Sequence, residues 1–466
     1  MSDLHPRRAA SDVTTDNEAS AHHPPRQPAG SRLANPKATR TVWFWTVPIV
    51  VALAVLSALA AFYLGGILQP MTNLRHFPVA ILNEDAGPTG AQVVKGMQAS
   101  FDNDAYDVRV LNHDQAKTQL DNAEIYGVAV IPPNFSSKLQ AYAKSALTPG
   151  RVERAVIIVS TNPRAGTLGA SIAGQTLQRA VTLMDQRVGQ RLSQEVAEQT
   201  GKSPEPGAVA LMLANPIEVK STVHNVLPDG TGNGLSAFYY ALLLLLAGFI
   251  GSVVVSRLVD SMLGFVPAEV GPIYRFAEQV KISRFRTLLI KWAMIAVLAL
   301  LTSAAYLLIA DNMGMPVQNG LALWLFSAFA ILAVGVTSTS LIAALGALGA
   351  LVSLFVFIIL GLPSAGATVP LQATPALFEG LAKFEPMHQV FLGARALLYL
   401  GGRADAGLSE SVELTAVGLL IGVLLGVIVT RLYDRRGYHR VSTSPAADTP
   451  EGVAGPPETE FDYPDR

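Results

Sequence analysis

The sequence predicts an α-helical polytopic membrane protein with six transmembrane helices, both termini in the cytoplasm, and an inserted extracytoplasmic mixed α/β domain. Three observations predict it. Long uncharged apolar runs recur along the 466 residues. They are unevenly placed, one near the N-terminus and five in the second half. Lys and Arg gather on alternate connections between them. Composition agrees, with 50% hydrophobic residues, 15% charged and a mean hydropathy of +0.36, unlike an ordinary soluble domain.

A hydrocarbon core of about 30 Å takes roughly 20 apolar residues as a helix. Residues 42–68 meet this, with no charge between Arg40 and Arg75. The second span is 235–256, with leucine at every position from 242 to 246, and the third is 292–310. No charge occurs between Asp311 and Glu379. That stretch is too long for one helix, so it divides into 321–341 and 344–362 around a tight turn near Gly346. The sixth span lies in 412–432, centred on 414–430. A cleaved leader is rejected for the first span, because a long polar stretch precedes it and no small-x-small site follows.

Basic residues near the spans set orientation. Arg26, Arg32, Lys37 and Arg40 precede span one. Arg257, Arg275, Lys281, Arg284 and Arg286 lie between spans two and three. Arg431, Arg435, Arg436 and Arg440 follow span six, and 311–320 holds no base. Both termini in the cytoplasm of a multi-pass plasma-membrane protein satisfies all of these, and it puts 74–234 outside. The net charge of −1 averages unlike regions and gives no ground for a nucleic-acid partner. With no cysteine, the outer domain has no disulfides and no Cys-type zinc site. The tails, 1–40 and 433–466, are rich in Pro, Ser and charge without periodicity and read as disordered.

The outer segment alternates strand and helix patterns. Strands are expected at 78–82, 106–111, 126–131, 152–160 and 217–223. Helices are expected at 89–101, at 114–120 with Asp114 as cap, and at 134–144. A long helix spans 168–199, its apolar line running Leu177, Val181, Met184, Val188, Leu192, Val196. That line is either a seam between two subunits or the buried face of an amphipathic helix on its own domain.

Catalytic, cofactor and metal motifs are not found. Gly201-Lys202-Ser203 resembles the end of a phosphate loop, but the required earlier glycine is Val196 and a helix precedes it. Asn83, Glu84 and Asp85 form either a cation site or a polar turn. The eight histidines show no metal-ligand spacing, and no nucleophile elbow or HExxH occurs. The chain is not expected to be an enzyme.

Two segments carry the functional expectations. The loop 257–291 reads as a cytoplasmic coupling element, broken at Val266-Pro267-Ala268-Glu269-Val270-Gly271-Pro272. A basic amphipathic piece, 273–286, follows it. It reads both as a membrane-surface helix and as a docking element for a separate ATPase, carried by Glu269, Tyr274, Arg275, Lys281, Arg284 and Arg286. The second segment, 363–411, is rich in Gly and Pro yet semi-apolar. Irregular backbone at membrane depth persists only where protein covers it or a cavity borders it, so a re-entrant or interfacial element is expected. Pro363, Gly366, Pro370, Glu385, His388 and Arg395 are the candidate substrate path and gate. The competing reading for the ionisable three is snorkelling to the interface. Glu379 and Lys383 read as an i,i+4 pair. The expected spans hold no carboxylate, which favours a separate motor over proton drive.

Several stretches resemble the ABC-2 type transporter permeases, in the branch with YhgE/Pip (phage infection protein) and DUF3533-like proteins. They are Val79-Ala80-Ile81-Leu82-Asn83-Glu84-Asp85-Ala86-Gly87, Tyr126-Gly127-Val128-Ala129-Val130-Ile131-Pro132-Pro133-Asn134-Phe135-Ser136, the approach to span two at 225–239, and the Gly/Pro segment with Pro363, Gly366, Pro370, Pro375, Pro386 and Gly393-Ala394-Arg395. Order and spacing carry the resemblance over nearly the whole chain except the tails. Ser364-Ala365-Gly366-Ala367 is looser than the family's small-Gly-Gly run. The resemblance implies export-type work and assembly as a homo- or heterodimer in the lipid bilayer, with a separate ATPase. The expected function is a permease subunit moving a lipid-like, amphipathic or antimicrobial substrate outward. The alternative is a non-transporting envelope scaffold or receptor that uses its outer domain.

Overall fold

A computed structural model describes residues 41–145, 153–200, 212–275 and 277–438. Residues 1–40, 439–466 and Gly201-Lys202-Ser203 lie outside the described residues, while the start of the expected disordered tail, 433–435, is helical. Up to Leu56 the chain is one unit, whose described part is the first stretch of helix α1 (Val42–Ile67); a second unit begins at Ser57.

Between α1 and the next apolar helix, the chain builds one mixed sheet. Its strands are β1 (Phe77–Asn83), β2 (Tyr106–Leu111), β3 (Gly127–Ile131), β4 (Ala155–Thr161) and β5 (Ile217–Val223), interleaved with α2 (Pro88–Gln98), α3 (His113–Asp121), α4 (Phe135–Ser145) and α5 (Thr167–Thr200). The order is β2-β1-β3-β4-β5. Pairing is parallel except between β3 and β4. The inner strand β1 is buried on both faces. Phe77, Val79 and Ile81 enter a core with residues of α2, α4 and α5, while Ala80 and Leu82 pack with Ala116, Leu120 and Val128. A short apolar run with no polar alternation is what such a strand requires.

The apolar line of α5 is spent in this core. Leu177, Val181, Met184, Leu192 and Val196 are buried there and Val188 packs against it, each large side chain contributing roughly 1.5–3 kcal/mol. The line is therefore the buried face of an amphipathic helix. Helix α3 starts two residues earlier than expected. Asn112, not Asp114, is its cap, and with Gln115 it forms a reciprocal capping box, which satisfies two free amides at once.

Five further apolar helices follow, so among the described residues six are long and apolar enough to cross a membrane. They are α6 (Ser236–Met262), α7 (Arg284–Asn312), α8 (Gly320–Leu345), a broken fifth span (Ala347–Ser364), and the last long helix (Leu408–Arg435). Within the fifth, α9 (Ala347–Leu354) runs into one π-helical stretch, Phe355–Ile359, and then α10 (Gly361–Ser364). Gly346, at φ +64°, makes the turn between α8 and α9. Two helices then precede the last span: α11 (Ala376–Ala382) and α12 (Pro386–Tyr399). The last span is α13.

Small residues set the helix spacing, as expected where apolar surface alone gives no drive between helices. A Cβ on Gly248 would lie 2.7 Å from the Val334 Cβ and 2.9 Å from the Ile331 carbonyl oxygen. Lower down α13, a Cβ on Gly422 would lie 2.8 Å from the Thr337 Cα. Helix α8, thus gripped by α6 and α13, is the most buried span.

The ends of two spans correct the expectation. Span two continues past Ser256 to Met262 and span three begins at Arg284. They therefore contain Asp260 and Lys291, so the expected absence of carboxylates does not hold for these helices as they stand. The 273–286 piece is not a surface helix. Strands β6 (Ala268–Val270) and β7 (Ile273–Arg275) form a hairpin turned by Gly271 at φ +58°. Residues 277–283 have no regular structure.

Candidate functional site

The Gly/Pro segment between the fifth and sixth spans is a folded element. Pro375 caps α11, Glu385 caps α12, and Pro386 occupies the first turn of α12, where a missing N–H costs nothing. Gly366 takes φ +69°, and a Cβ there would lie 2.9 Å from Leu371 Cγ. Pro370 opens the turn Leu371–Ala373. Val369 and Ala373 are buried in the same core as Phe77, Val79 and Ile81. The segment thus belongs to the α/β core at one end and to the helical bundle at the other, where Met387, Val390, Phe391 and Leu398 pack with α6 and α8 residues.

The candidate path residues fall into separate settings. Glu385, His388 and Gly366 come together. The Glu385 carboxylate accepts from the His388 amide at 3.1 Å, and His388 Nδ1 donates to the Ala365 carbonyl at 2.8 Å. A carbonyl only accepts, so the Nδ1–H tautomer is required. Glu385 Oε1 has no hydrogen-bond partner and faces Gly361, whose Cβ position lies 2.9 Å from it. Burial pushes the Glu385 carboxyl up to about 8, against the His388 and Met387 amides. Burial lowers His388, opposed by the Ala365 carbonyl and aided by the Arg395 charge. Near neutrality the pair is a protonated acid beside a neutral imidazole.

Pro363 faces α1, 3.0 Å from a Cβ on Gly66, and Pro370 faces α5, 3.1 Å from a Cβ on Gly169. Arg395 reaches the α/β segment, donating to the Ala165 carbonyl at 3.1 Å with its guanidinium over the Phe391 ring. None of the three ionisable groups is extended into an interface as snorkelling requires. Glu385 is buried, and His388 and Arg395 are half-buried. Tyr126, stacked on Phe77 at 4.7 Å, lies beside Arg395; burial pushes its hydroxyl up to about 12, with Arg395 opposing.

The expected Glu379–Lys383 pair is not made. Helix α11 ends at Ala382 and Lys383 is its C-cap. Glu379 instead pairs with Arg75 at 3.1 Å, and Arg75 donates to the Thr374 carbonyl at 2.8 Å.

Further ties join the α/β segment to the ends of the spans. Arg164 donates to the Tyr399 carbonyl at 3.0 Å and to that of Val226 at 2.9 Å. Asn122 donates to Asp405 at 3.1 Å. Asp121, closing α3, accepts from Asn225 at 2.7 Å, His224 at 2.9 Å and Lys117 at 3.0 Å. Burial alone would raise its pKa, but His224, Lys117 and Asn225 outweigh it and hold the carboxyl well below its usual range. Apart from the i,i+4 contact of Lys117 with Asp121, none of these ties has a local sequence signal, because each joins residues at least 62 positions apart.

The second candidate set lies at the other ends of the spans. The side chains of Glu269, Tyr274 and Arg275 lie outside the described residues. Lys281 and Arg286 are exposed. Arg284 is held: its Nε donates to the Tyr438 carbonyl at 2.6 Å and its guanidinium sits over the Tyr433 ring. Asp434 caps α7 by accepting from the amides of Arg284 at 2.9 Å and Phe285 at 3.0 Å. Sequence reasoning missed the neighbouring pair, Lys291 Nζ to Asp260 Oδ1 at 2.8 Å. Its only trace was a lysine directly before Trp292.

At the Asn83, Glu84, Asp85 turn, Asp85 accepts from the amides of Gly87, Gly90 and Ser136, and Glu84 pairs with His113 at 2.8 Å. Those partners are those of a capped turn. Among the described residues no three His, Cys, Asp or Glu side chains cluster as metal ligands.

A family model described as Protein of unknown function (DUF3533) matches residues 47–412. No curated protein and no solved structure matches the chain.

Proposed function

The chain belongs to the DUF3533 family, and from that premise we propose that it is a permease subunit of an ABC-2 type exporter. In this reading both termini lie in the plasma-membrane cytoplasm side, the α/β segment is extracytoplasmic, and a lipid-like or amphipathic substrate moves outward. One observation carries the reading. The segment between the fifth and sixth spans is shared by two cores, with Val369 and Ala373 in the α/β core and Met387 and Val390 in the bundle. A bilayer anchor needs no such sharing, whereas a machine that passes span movement to an outer domain does. The π-helical stretch Phe355–Ile359, just before this segment, supports the same reading, since π turns recur at functional sites.

The motor is a separate cytoplasmic ATPase, and the permease works as a dimer. The docking surface is the hairpin 268–275 with Lys281 and Arg286. Arg284 is a poor probe of docking because it holds the end of α13. The test uses the full chain purified from its native membrane, with co-purifying ATPase and export of a fluorescent amphiphile measured together. Lys281→Glu with Arg286→Glu is expected to lose both without loss of folded protein. Export unchanged in that double variant sinks the docking assignment. Export unchanged when Arg395→Met and Arg164→Met cut two of the ties to the α/β segment would count against the permease mechanism.

A further inference from the structure

The α/β segment carries a groove of about 560 Å³ between α2, α4 and α5, within the size range of small-molecule sites. Its floor is apolar, formed by Val93, Leu139, Met184, Leu192 and Val196, all buried. Gly96 on α2, close against the Met184 side chain, and Ala143 on α4 also line it. Its rim is basic. Lys144, Arg187 and Arg191 line the groove against one acid, Glu195. Arg187 and Arg191 are one turn apart on α5, so they share a face, and both are exposed. Arg191 donates to the neutral Gln92 side chain across the groove, so that bond does not neutralise its charge.

We propose that this groove binds an anionic amphiphile, with its alkyl chain along the apolar floor and its phosphate or carboxylate head at Arg187 and Arg191. Apolar floor and cationic rim together select this class. A free anion would leave the floor wet, and a neutral amphiphile would leave the arginines unmatched. Naming this ligand as exported cargo rests on the permease reading above; the binding itself does not.

The chain has no cysteine, so Gln140→Cys on the exposed rim takes a single environment-sensitive fluorophore. The labelled full chain in phosphatidylcholine nanodiscs is titrated with dodecyl phosphate, tetradecyl phosphate, dodecyl maltoside and inorganic phosphate. Saturable binding is expected for the two alkyl phosphates only. The longer chain should gain roughly two- to fourfold per methylene, the upper value being that of a fully buried methylene. Arg187→Glu with Arg191→Glu should weaken it at least tenfold, and the exposure of both side chains leaves the fold intact. Equal binding of dodecyl maltoside, binding of inorganic phosphate as tight as that of dodecyl phosphate, or indifference to the charge reversal would each overturn the proposal. Saturable binding with no export leaves the site standing and rejects the permease reading alone.

Discussion

Lys291 and Asp260 form a buried ion pair at 2.8 Å, with the lysine side chain only 3% exposed and the aspartate 14%. The pair joins the last turns of α6 to the first turns of α7, on either side of the hairpin loop. Two desolvated charges are costly, and their attraction offsets that cost only while both are present. Lys291→Met should therefore destabilise the chain by about 3–5 kcal/mol, since it takes the lysine charge away from Asp260. Lys291→Met with Asp260→Leu should recover most of that loss. A double-mutant cycle on thermal unfolding in detergent measures it; strictly additive single effects would mean that the pair is not coupled.

Glu385, outside the six spans, gives a pH signature. Its folded pKa is about 8, above the ordinary 4.5. A raised pKa means that the folded chain holds a proton the unfolded chain has released. Its stabilisation is full below about 4.5 and is lost as pH rises through about 8. His388 is shifted the other way, so its contribution is lost only as pH falls below its ordinary 6.5. Between these limits Glu385 acts alone. Stability should fall from pH 6.5 to 8, with a slope of at most about 1.4 kcal/mol per pH unit. Glu385→Gln should flatten the slope; a slope unchanged in that variant would falsify the assignment.

Two glycines on α13 provide a paired test of helix packing. A Cβ on Gly422 would meet the backbone of Thr337, whereas nothing lies within 4 Å of a Cβ on Gly418. Gly422→Leu must push α13 away from α8. It should lower the yield of folded protein sharply, with a loss of several kcal/mol, as for strained overpacking of a core. Gly418→Leu, four residues earlier, should be tolerated within about 0.5 kcal/mol. Fluorescence-detected size exclusion of the two variants settles the contrast.

Much of this architecture is legible in the residues. The spans are visible because a helix in hydrocarbon needs a continuous apolar run, and the strands because β1 and β3 are buried runs too short for helices. Span ends are less legible. Helices α6 and α7 run on into charged residues because Asp260 and Lys291 neutralise each other, and pairing between distant residues leaves no local pattern. The 273–286 piece has helical charge spacing, yet Gly271 and Pro272 favour a turn and the hairpin wins. The candidate path is only half legible. Glu385 and His388 lie near in sequence and meet, while the partners of Arg395 and Arg75 are backbone carbonyls hundreds of residues away.

Asp85 tests the two readings of the turn after β1. Its carboxylate, 8% exposed, accepts from Gly87 and Gly90 amides at 3.2 Å each and from the Ser136 amide at 3.1 Å. The Ser136 hydroxyl donates to it as well. Those donors tie β1, the start of α2 and the start of α4 to one side chain. Asp85→Ala leaves several buried donors unsatisfied, each costing about 1–3 kcal/mol, so the α/β segment should lose at least 2 kcal/mol. Asp85→Asn retains one acceptor oxygen and should lose less. A carboxylate committed to amide donors has little left for a cation, so millimolar calcium should not raise the melting temperature of the parent chain. A calcium-dependent rise that disappears in Asp85→Ala would make the turn a cation site instead.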